Sequence, residues 1–149
     1  MINKGEEQRA HLIMKLRGQG IRSASVLSAI ESVPRDIFIE NALKNHAWEN
    51  VTLPIGEGQT ISQPYIVALM TTALNLSGKE IVLEIGTGSG YQASILSLLC
   101  RRVYTIERIK TLYEFSNKKF KELKLNNITT KFGNGETSGQ PKDPLPNFV

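Results

Sequence analysis

Glu84, Gly86, Gly88 and Gly90 recur at every second position through the stretch IVLEIGTGSGYQ, residues 81–92. An apolar run, Ile81 to Leu83, leads into the acid, and the glycines follow it. Glycine reaches φ angles that other residues resist and lets backbone approach a ligand closely. Thr87 and Ser89 stand between the glycines and add hydroxyls to the loop. A second acid, Glu107, comes about twenty residues after the first of these glycines. At that offset a carboxylate reaches the two hydroxyls of an adenosine ribose and can accept from both. The chemistry this set suggests is the binding of a nucleoside-type ligand; the alternative is a structural glycine turn and an exposed strand-end acid with no ligand. Dinucleotide sites space their glycines G-x-G-x-x-G to seat a pyrophosphate on a helix N-terminus. Here the third glycine arrives one residue early.

Other residue types could act elsewhere. Gln59, Thr60 and Ser62 lie in GQTISQP, just ahead of Pro64. Proline is favoured in the first helical turn, so on local pattern Ser62 or Gln63 is expected to cap the helix that follows. Asn134 and Gly135 belong to GNG, residues 133–135. His11 and His46 fall in helical stretches without a partner cluster that would suggest a metal. Cys100 is the only cysteine. It excludes an internal disulfide or cysteine-built metal site and fits a reducing cytoplasm.

The positioning elements can be read in order. Glu6 to Gly18 is helical in pattern, with Leu12, Ile13 and Leu16 forming a stripe. Ser23 can cap a second helix running to about Val33, with Val26, Leu27 and Ile30 on one face. Pro34 breaks it, and Ile37, Phe38 and Ile39 form a short buried anchor before a helical turn from about Glu40. After the loop of Pro54, Gly56 and Gly58, a helix begins near Pro64 and is expected to bury Ile66, Val67, Leu69, Met70 and Leu74. Ile81 to Ile85 has the pattern of a buried parallel strand, and Tyr91 to Cys100 that of a helix. A second strand, Val103 to Ile106, ends at Glu107. A helix from about Lys110 to Lys124 follows, turning inward Leu112, Phe115, Phe120 and Leu123. The third strand is ITTKF, residues 128–132. Strand, glycine loop and helix is the layout of a ligand site in an open α/β sheet. Residues 1–135 therefore read as helices followed by α/β units, and residues 136–149 as an irregular, Pro-rich tail.

The length of 149 residues suits one domain, and the formal charge of +4 is mild. The basic residues read as solvated faces, not as a nucleic-acid patch. No apolar run approaches the ~20 residues of a membrane helix, and the polar N-terminus is not a secretory signal.

With an acid ahead of the alternating glycines, the loop resembles that of the S-adenosylmethionine-dependent methyltransferases, E/D-x-G-x-G-x-G. That ligand has no phosphate, so its loop need not be an anion nest. LPIGEGQTISQPYIVALM (Leu53 to Met70), LEIGTGSGYQ (Leu83 to Gln92), VYTIE (Val103 to Glu107) and Gly133 to Gly135 together resemble the protein-L-isoaspartate O-methyltransferases, as does PRDIFI. The resemblance covers about the first 135 residues. It implies a Rossmann-like fold in three αβα layers, preceded by N-terminal helices. It also implies a methyl group passing from S-adenosyl-L-methionine to the free carboxylate of L-isoaspartyl residues in damaged proteins, with D-aspartyl residues as a further class. The methyl ester then leaves through a succinimide, so the reaction serves protein repair. By resemblance Ser62 is the active-site serine with Thr60 beside it. Gln59, Glu84, Gly86, Thr87, Gly88, Ser89, Gly90, Glu107, Asn134 and Gly135 hold the cofactor, and no metal takes part. The implied enzyme is a cytoplasmic monomer acting on proteins and peptides, not on nucleic acid or membranes.

Two departures stand out. The family pattern has Asp where this chain has Asn134. Asn still accepts a hydrogen bond from adenine but without charge assistance, a difference of about 1 kcal/mol. The family also continues for roughly a third more chain. The expectation is a sheet incomplete at the C-terminus, with one edge of the Ile81–Ile85 strand open and self-association through it. Two other readings stay open: an inactive remnant that binds cofactor or a partner, and a different small methyltransferase. The GQTIS segment argues against the latter.

Overall fold

The structure, a computed structural model, describes residues 1–134 and the backbone of residues 147–148. The chain forms two compact units, Met1–Asn75 and Leu76–Val149.

The first unit opens with α1, Lys4–Gly18, started by a capping box in which Asn3 and Glu6 each accept the other's amide. Its Leu12, Ile13 and Leu16 are buried. α2, Ala24–Ser32, is capped by Ser23, whose Oγ accepts from the Val26 amide at 3.3 Å. Two 3₁₀ turns follow, Arg35–Phe38 and Asn41–His46, and Phe38 and Ile39 are buried as the apolar anchor. Next comes an antiparallel hairpin of β1, Leu53–Gly56, and β2, Gln59–Ile61. Leu53 faces Ile61, Pro54 faces Thr60, and a bulge shifts the register before Gly56 faces Gln59. Sequence pattern gives Pro54, Gly56 and Gly58 only as a loop. The strands are too short for alternation to announce them.

α3, Pro64–Leu74, begins at its proline as expected. Its buried face differs from expectation. Pro64, Val67, Ala68 and Thr71 are buried, whereas Ile66, Leu69 and Met70 are 38%, 46% and 62% exposed. This helix is apolar on most sides, so hydrophobicity does not select a face. The smaller stripe, Ala68 and Thr71 with Val67, allows the close approach to α2.

Among the described residues the second unit holds a four-stranded parallel sheet in the order β5-β4-β3-β6, with β3 Ile81–Ile85, β4 Arg102–Glu107, β5 Ile128–Phe132 and β6 Asn147–Phe148. α4, Tyr91–Ser97, follows β3, and α5, Lys110–Glu122, follows β4. α4 packs on β4 and β5, and so does α5. Val82, Ile95, Leu96, Val103, Leu112 and Phe120 make the core. β3 is less enclosed than its composition suggests: only Val82 is buried, and Ile85 is 60% exposed. Its outer edge, expected open, carries β6, which pairs with Val82 and Leu83.

Candidate cofactor loop and substrate-orienting hairpin

In the second unit the candidate residues gather at the C-terminal ends of β3 and β4. The chain leaves β3 through Gly86, whose amide donates to the Ile106 carbonyl at 2.8 Å. Gly86, Gly88 and Gly90 all have positive φ, at 89°, 57° and 92°. A Cβ on Gly86 would meet nothing within 4 Å, so open space lies beside that backbone. Gly90 is different. A Cβ there would lie 2.9 Å from Phe120 Cε1 and 3.0 Å from Ser116 Cβ, so this glycine lets the loop press against α5.

Glu107 ends β4 and is 5% exposed. Its Oε2 accepts from the Gly88 amide at 2.7 Å and its Oε1 from the Ile109 amide at 3.0 Å. Each carboxylate oxygen keeps a further lone pair for a ligand hydroxyl. The Gly133 amide donates to the Glu107 carbonyl at 3.0 Å, which brings the turn carrying Asn134 to the same strand end. Asn134 is exposed. Gly135 lies outside the described residues.

Glu84, Thr87 and Thr105 form a chain beneath the loop. The Thr105 hydroxyl donates to Glu84 Oε1 at 2.6 Å, and the Thr87 hydroxyl lies 2.5 Å from that of Thr105. With its one proton given to Glu84, Thr105 accepts from Thr87. Thr87 and Ser89 are both buried, and Ser89 Oγ accepts from the Tyr91 amide at the start of α4. Their side chains therefore shape the loop from within. Thr105 escaped the sequence reading; only its inward place in the VYTIE strand hinted at it.

Desolvation pushes the Glu84 carboxyl up from 4.5 to about 7, and the neighbouring Glu107 charge adds to the rise; the Thr105 hydrogen bond opposes it. The folded chain thus holds this proton more tightly than the unfolded one. Stability from this group is full below about pH 4.5 and is lost as pH rises through about 7. At ~1.4 kcal/mol per pH unit between 4.5 and about 7, the loss reaches at most about 3.5 kcal/mol. Urea unfolding at pH 5 and pH 8 is expected to show this slope in the wild type and a flatter one in Glu84→Gln. An equal slope in both would assign the effect to another group.

In the first unit Gln59, Thr60 and Ser62 are all exposed. They flank Ile61, which is buried against the core. Alternation along the strand turns Thr60 and Ser62 away from that buried side. The local expectation that Ser62 or Gln63 caps α3 does not hold. Asn50 Oδ1 accepts from the Tyr65 amide at 2.9 Å, and the residue at the N-cap position, Gln63, makes no side-chain cap bond. No residue near position 62 signals this, because the cap comes from 15 positions upstream. Among the described residues, no histidine is hydrogen-bonded to Ser62, and none of the His, Cys, Asp and Glu side chains form a group of three that could hold a metal.

The loop geometry discriminates between ligands. A phosphate-seating loop offers free amides at a helix N-terminus. Here a buried carboxylate accepts from the Gly88 amide, so that amide is not free for a phosphate. The acceptor set of carboxylates suits ribose hydroxyls, which donate, and a cationic group, and S-adenosyl-L-methionine has both. A parallel sheet with this loop and a strand-end acid defines a Rossmann-like methyltransferase. A solved protein-L-isoaspartate O-methyltransferase shares the fold at a TM-score of 0.77, with 27% identity, over 85% of this chain and 42% of that one.

The family is more particular. The model described as protein-L-isoaspartate(D-aspartate) O-methyltransferase matches residues 7–147, and the chain belongs to that family of S-adenosyl-L-methionine-dependent protein methyltransferases. It is 49% identical over 148 residues to the protein-L-isoaspartate O-methyltransferase of Parvibaculum lavamentivorans, covering 99% of this chain and 67% of that one. It is 49% identical over 139 residues to that of Photobacterium profundum, covering 93% and 66%. The chain thus spans about two thirds of the length of these curated relatives.

Proposed function

We propose that this chain methylates the free carboxylate of L-isoaspartyl residues in damaged proteins and peptides, with D-aspartyl residues as a further class. The observation that carries this reading is the released hydroxyl of Ser62. Asn50 caps α3 in its place, and Ser62 stands exposed beside Thr60 on the hairpin. The substrate carboxylate is ionised at neutral pH, so no general base is required. Ser62 donates a hydrogen bond to one carboxylate oxygen and leaves a lone pair of the other for attack; Thr60 supports the same orientation. When bound, S-adenosyl-L-methionine supplies an electrophilic methyl on a sulfonium that leaves as a neutral thioether. Glu107 accepts from the ribose hydroxyls, and Glu84, whose carboxyl is pushed up to about 7, adds negative charge at the loop only where it is ionised. The backbone from Gly86 through Thr87, Gly88 and Ser89 to Gly90 borders the cofactor, with Asn134 toward adenine. Rate then comes mainly from alignment and exclusion of water.

Ser62→Ala is expected to lower kcat/KM on an isoaspartyl peptide ~10- to 100-fold, the loss of one hydrogen bond to a charged group. S-adenosylhomocysteine affinity and the melting temperature should hardly move, because Asn50 keeps the cap. Full activity per folded molecule would remove Ser62 from the site.

A second reading, an inactive module that binds cofactor or a partner, draws on the short cover of the β3 edge. Among the described residues only Val82 and Leu83 have a partner there, which also favours self-association over the monomer the family implies. Cofactor binding without methyl transfer in the same assay would select this reading. Among the described residues no helix is long and apolar enough to cross a membrane. Burial pushes the Cys100 thiol up to about 11, which disfavours its thiolate; a chain with one cysteine fits a reducing compartment, and we place it in the cytoplasm.

A further inference from the structure

Arg35 is fully buried, at 0% exposure, although arginine is among the residues least often found inside. It opens the 3₁₀ turn after Pro34, and its guanidinium faces backbone carbonyls. Nη1 donates to the Ala47 carbonyl at 2.8 Å and the Glu49 carbonyl at 3.4 Å. Nη2 donates to the Val51 carbonyl at 2.8 Å and the Ser62 carbonyl at 3.2 Å. One planar fork therefore joins the Ala47–Val51 loop to the residue whose hydroxyl orients the substrate.

That loop grips the same residues from the other side. The Gln63 amide group donates to the Asn50 carbonyl at 3.1 Å, and Asn50 Oδ1 accepts from the Tyr65 amide at 2.9 Å. Ser62 is thus held through its own carbonyl by Arg35 and through the next turn by Asn50. Its neighbour Ile61 is locked in the core. A hydroxyl on an exposed loop would otherwise sample several positions, and a misplacement of ~1 Å costs ~100-fold in rate.

We propose that Arg35 is a positioning residue for methyl transfer, acting through the Ser62 backbone, with Asn50 as its partner. This inference rests on Ser62 as the residue that orients the isoaspartyl carboxylate. The fork geometry is the specific requirement: lysine keeps the charge but presents a single nitrogen, which cannot span Ala47, Val51 and Ser62 together.

The test compares Arg35→Lys, Ser62→Ala and the double variant in steady-state methylation of an isoaspartyl peptide. Arg35→Lys is expected to lower kcat ~10- to 100-fold while KM changes less than about threefold. Affinity for S-adenosylhomocysteine should stay within about twofold. Added to Ser62→Ala, Arg35→Lys should cost little more, because the hydroxyl it positions is already gone. Multiplying losses, or wild-type kcat in folded Arg35→Lys, would overturn the proposal. If Arg35→Lys does not fold, Asn50→Ala takes its place and should show the same kcat loss and the same non-additivity. If the wild type methylates nothing, the enzymatic reading fails separately. Hydrogen exchange then judges the clamp: Arg35→Lys or Asn50→Ala should speed exchange in residues 62–65 while α1 and β3 keep theirs. Unchanged exchange there would overturn it.

Discussion

Glu107→Ala is expected to weaken S-adenosylhomocysteine binding ~100-fold or more. The carboxylate would accept both ribose hydroxyls, and hydrogen bonds to a charged group are worth ~1.5–3 kcal/mol each. A loss near 3 kcal/mol is ~100-fold at ~1.4 kcal/mol per decade. The same side chain also holds the Gly88 and Ile109 amides, so its removal loosens the loop itself. A bare loss of affinity would therefore not separate ribose contact from loop support. A ligand pair does: S-adenosylhomocysteine and its 2′-deoxy counterpart, titrated by calorimetry. In the wild type the ribo form should bind ~10-fold or more tighter. In Glu107→Gln, which keeps the shape but halves the acceptor capacity, that preference should shrink. An unchanged preference would confine Glu107 to supporting the loop.

Gly90→Ala is expected to destabilise the second unit by ~2–5 kcal/mol, against a typical total of ~5–15 kcal/mol. Two costs add. A φ of 92° is strained for any residue with a Cβ, by ~1–2 kcal/mol. The new methyl would also press on buried Phe120 and Ser116, and overpacking of this kind costs ~1–3 kcal/mol. Gly86→Ala is the matched comparison. It has the same backbone strain at 89° but open space around the new methyl. It should lose only ~1–2 kcal/mol of stability while losing most of its cofactor affinity, because that space is where the ligand would approach. Thermal melts with and without S-adenosylhomocysteine read both effects. Equal destabilisation by the two substitutions would contradict the packing role of Gly90.

The two candidate regions are unequally legible in sequence. Gly86, Gly88 and Gly90 stand out because their backbone excludes other residues, and that restriction writes itself into residue type. Glu107 is legible because a strand ending in an acid fixes both depth and direction. The hairpin is not. β2 has three residues, and its partner contains a proline, so no period emerges. Arg35 and Asn50 are harder still. Both act on backbone carbonyls and amides distant in the chain, and a backbone partner leaves no mark on the partner's side chain. The local rule that favours Ser62 as a cap is sound physics, overridden by a cap from elsewhere. The packed face of α3 differs from the expected one for a related reason: an apolar surplus hides which side is packed.

The remote cap has a consequence for the order of folding. A helix whose first turn is closed by its own flanking serine can begin anywhere in the unfolded chain, at the speed of local contacts. α3 cannot finish its first turn that way, because its cap arrives only after a 15-residue segment has closed on itself. Closing such a segment carries an entropic cost that local capping avoids, and long-range contacts form later than local ones. The start of α3 is therefore expected to form with the arrival of the Trp48–Val51 stretch, later than a locally capped turn would. Until then the Tyr65 amide lacks its cap, so ordering of the residues just after Ser62 is expected to wait on that closure.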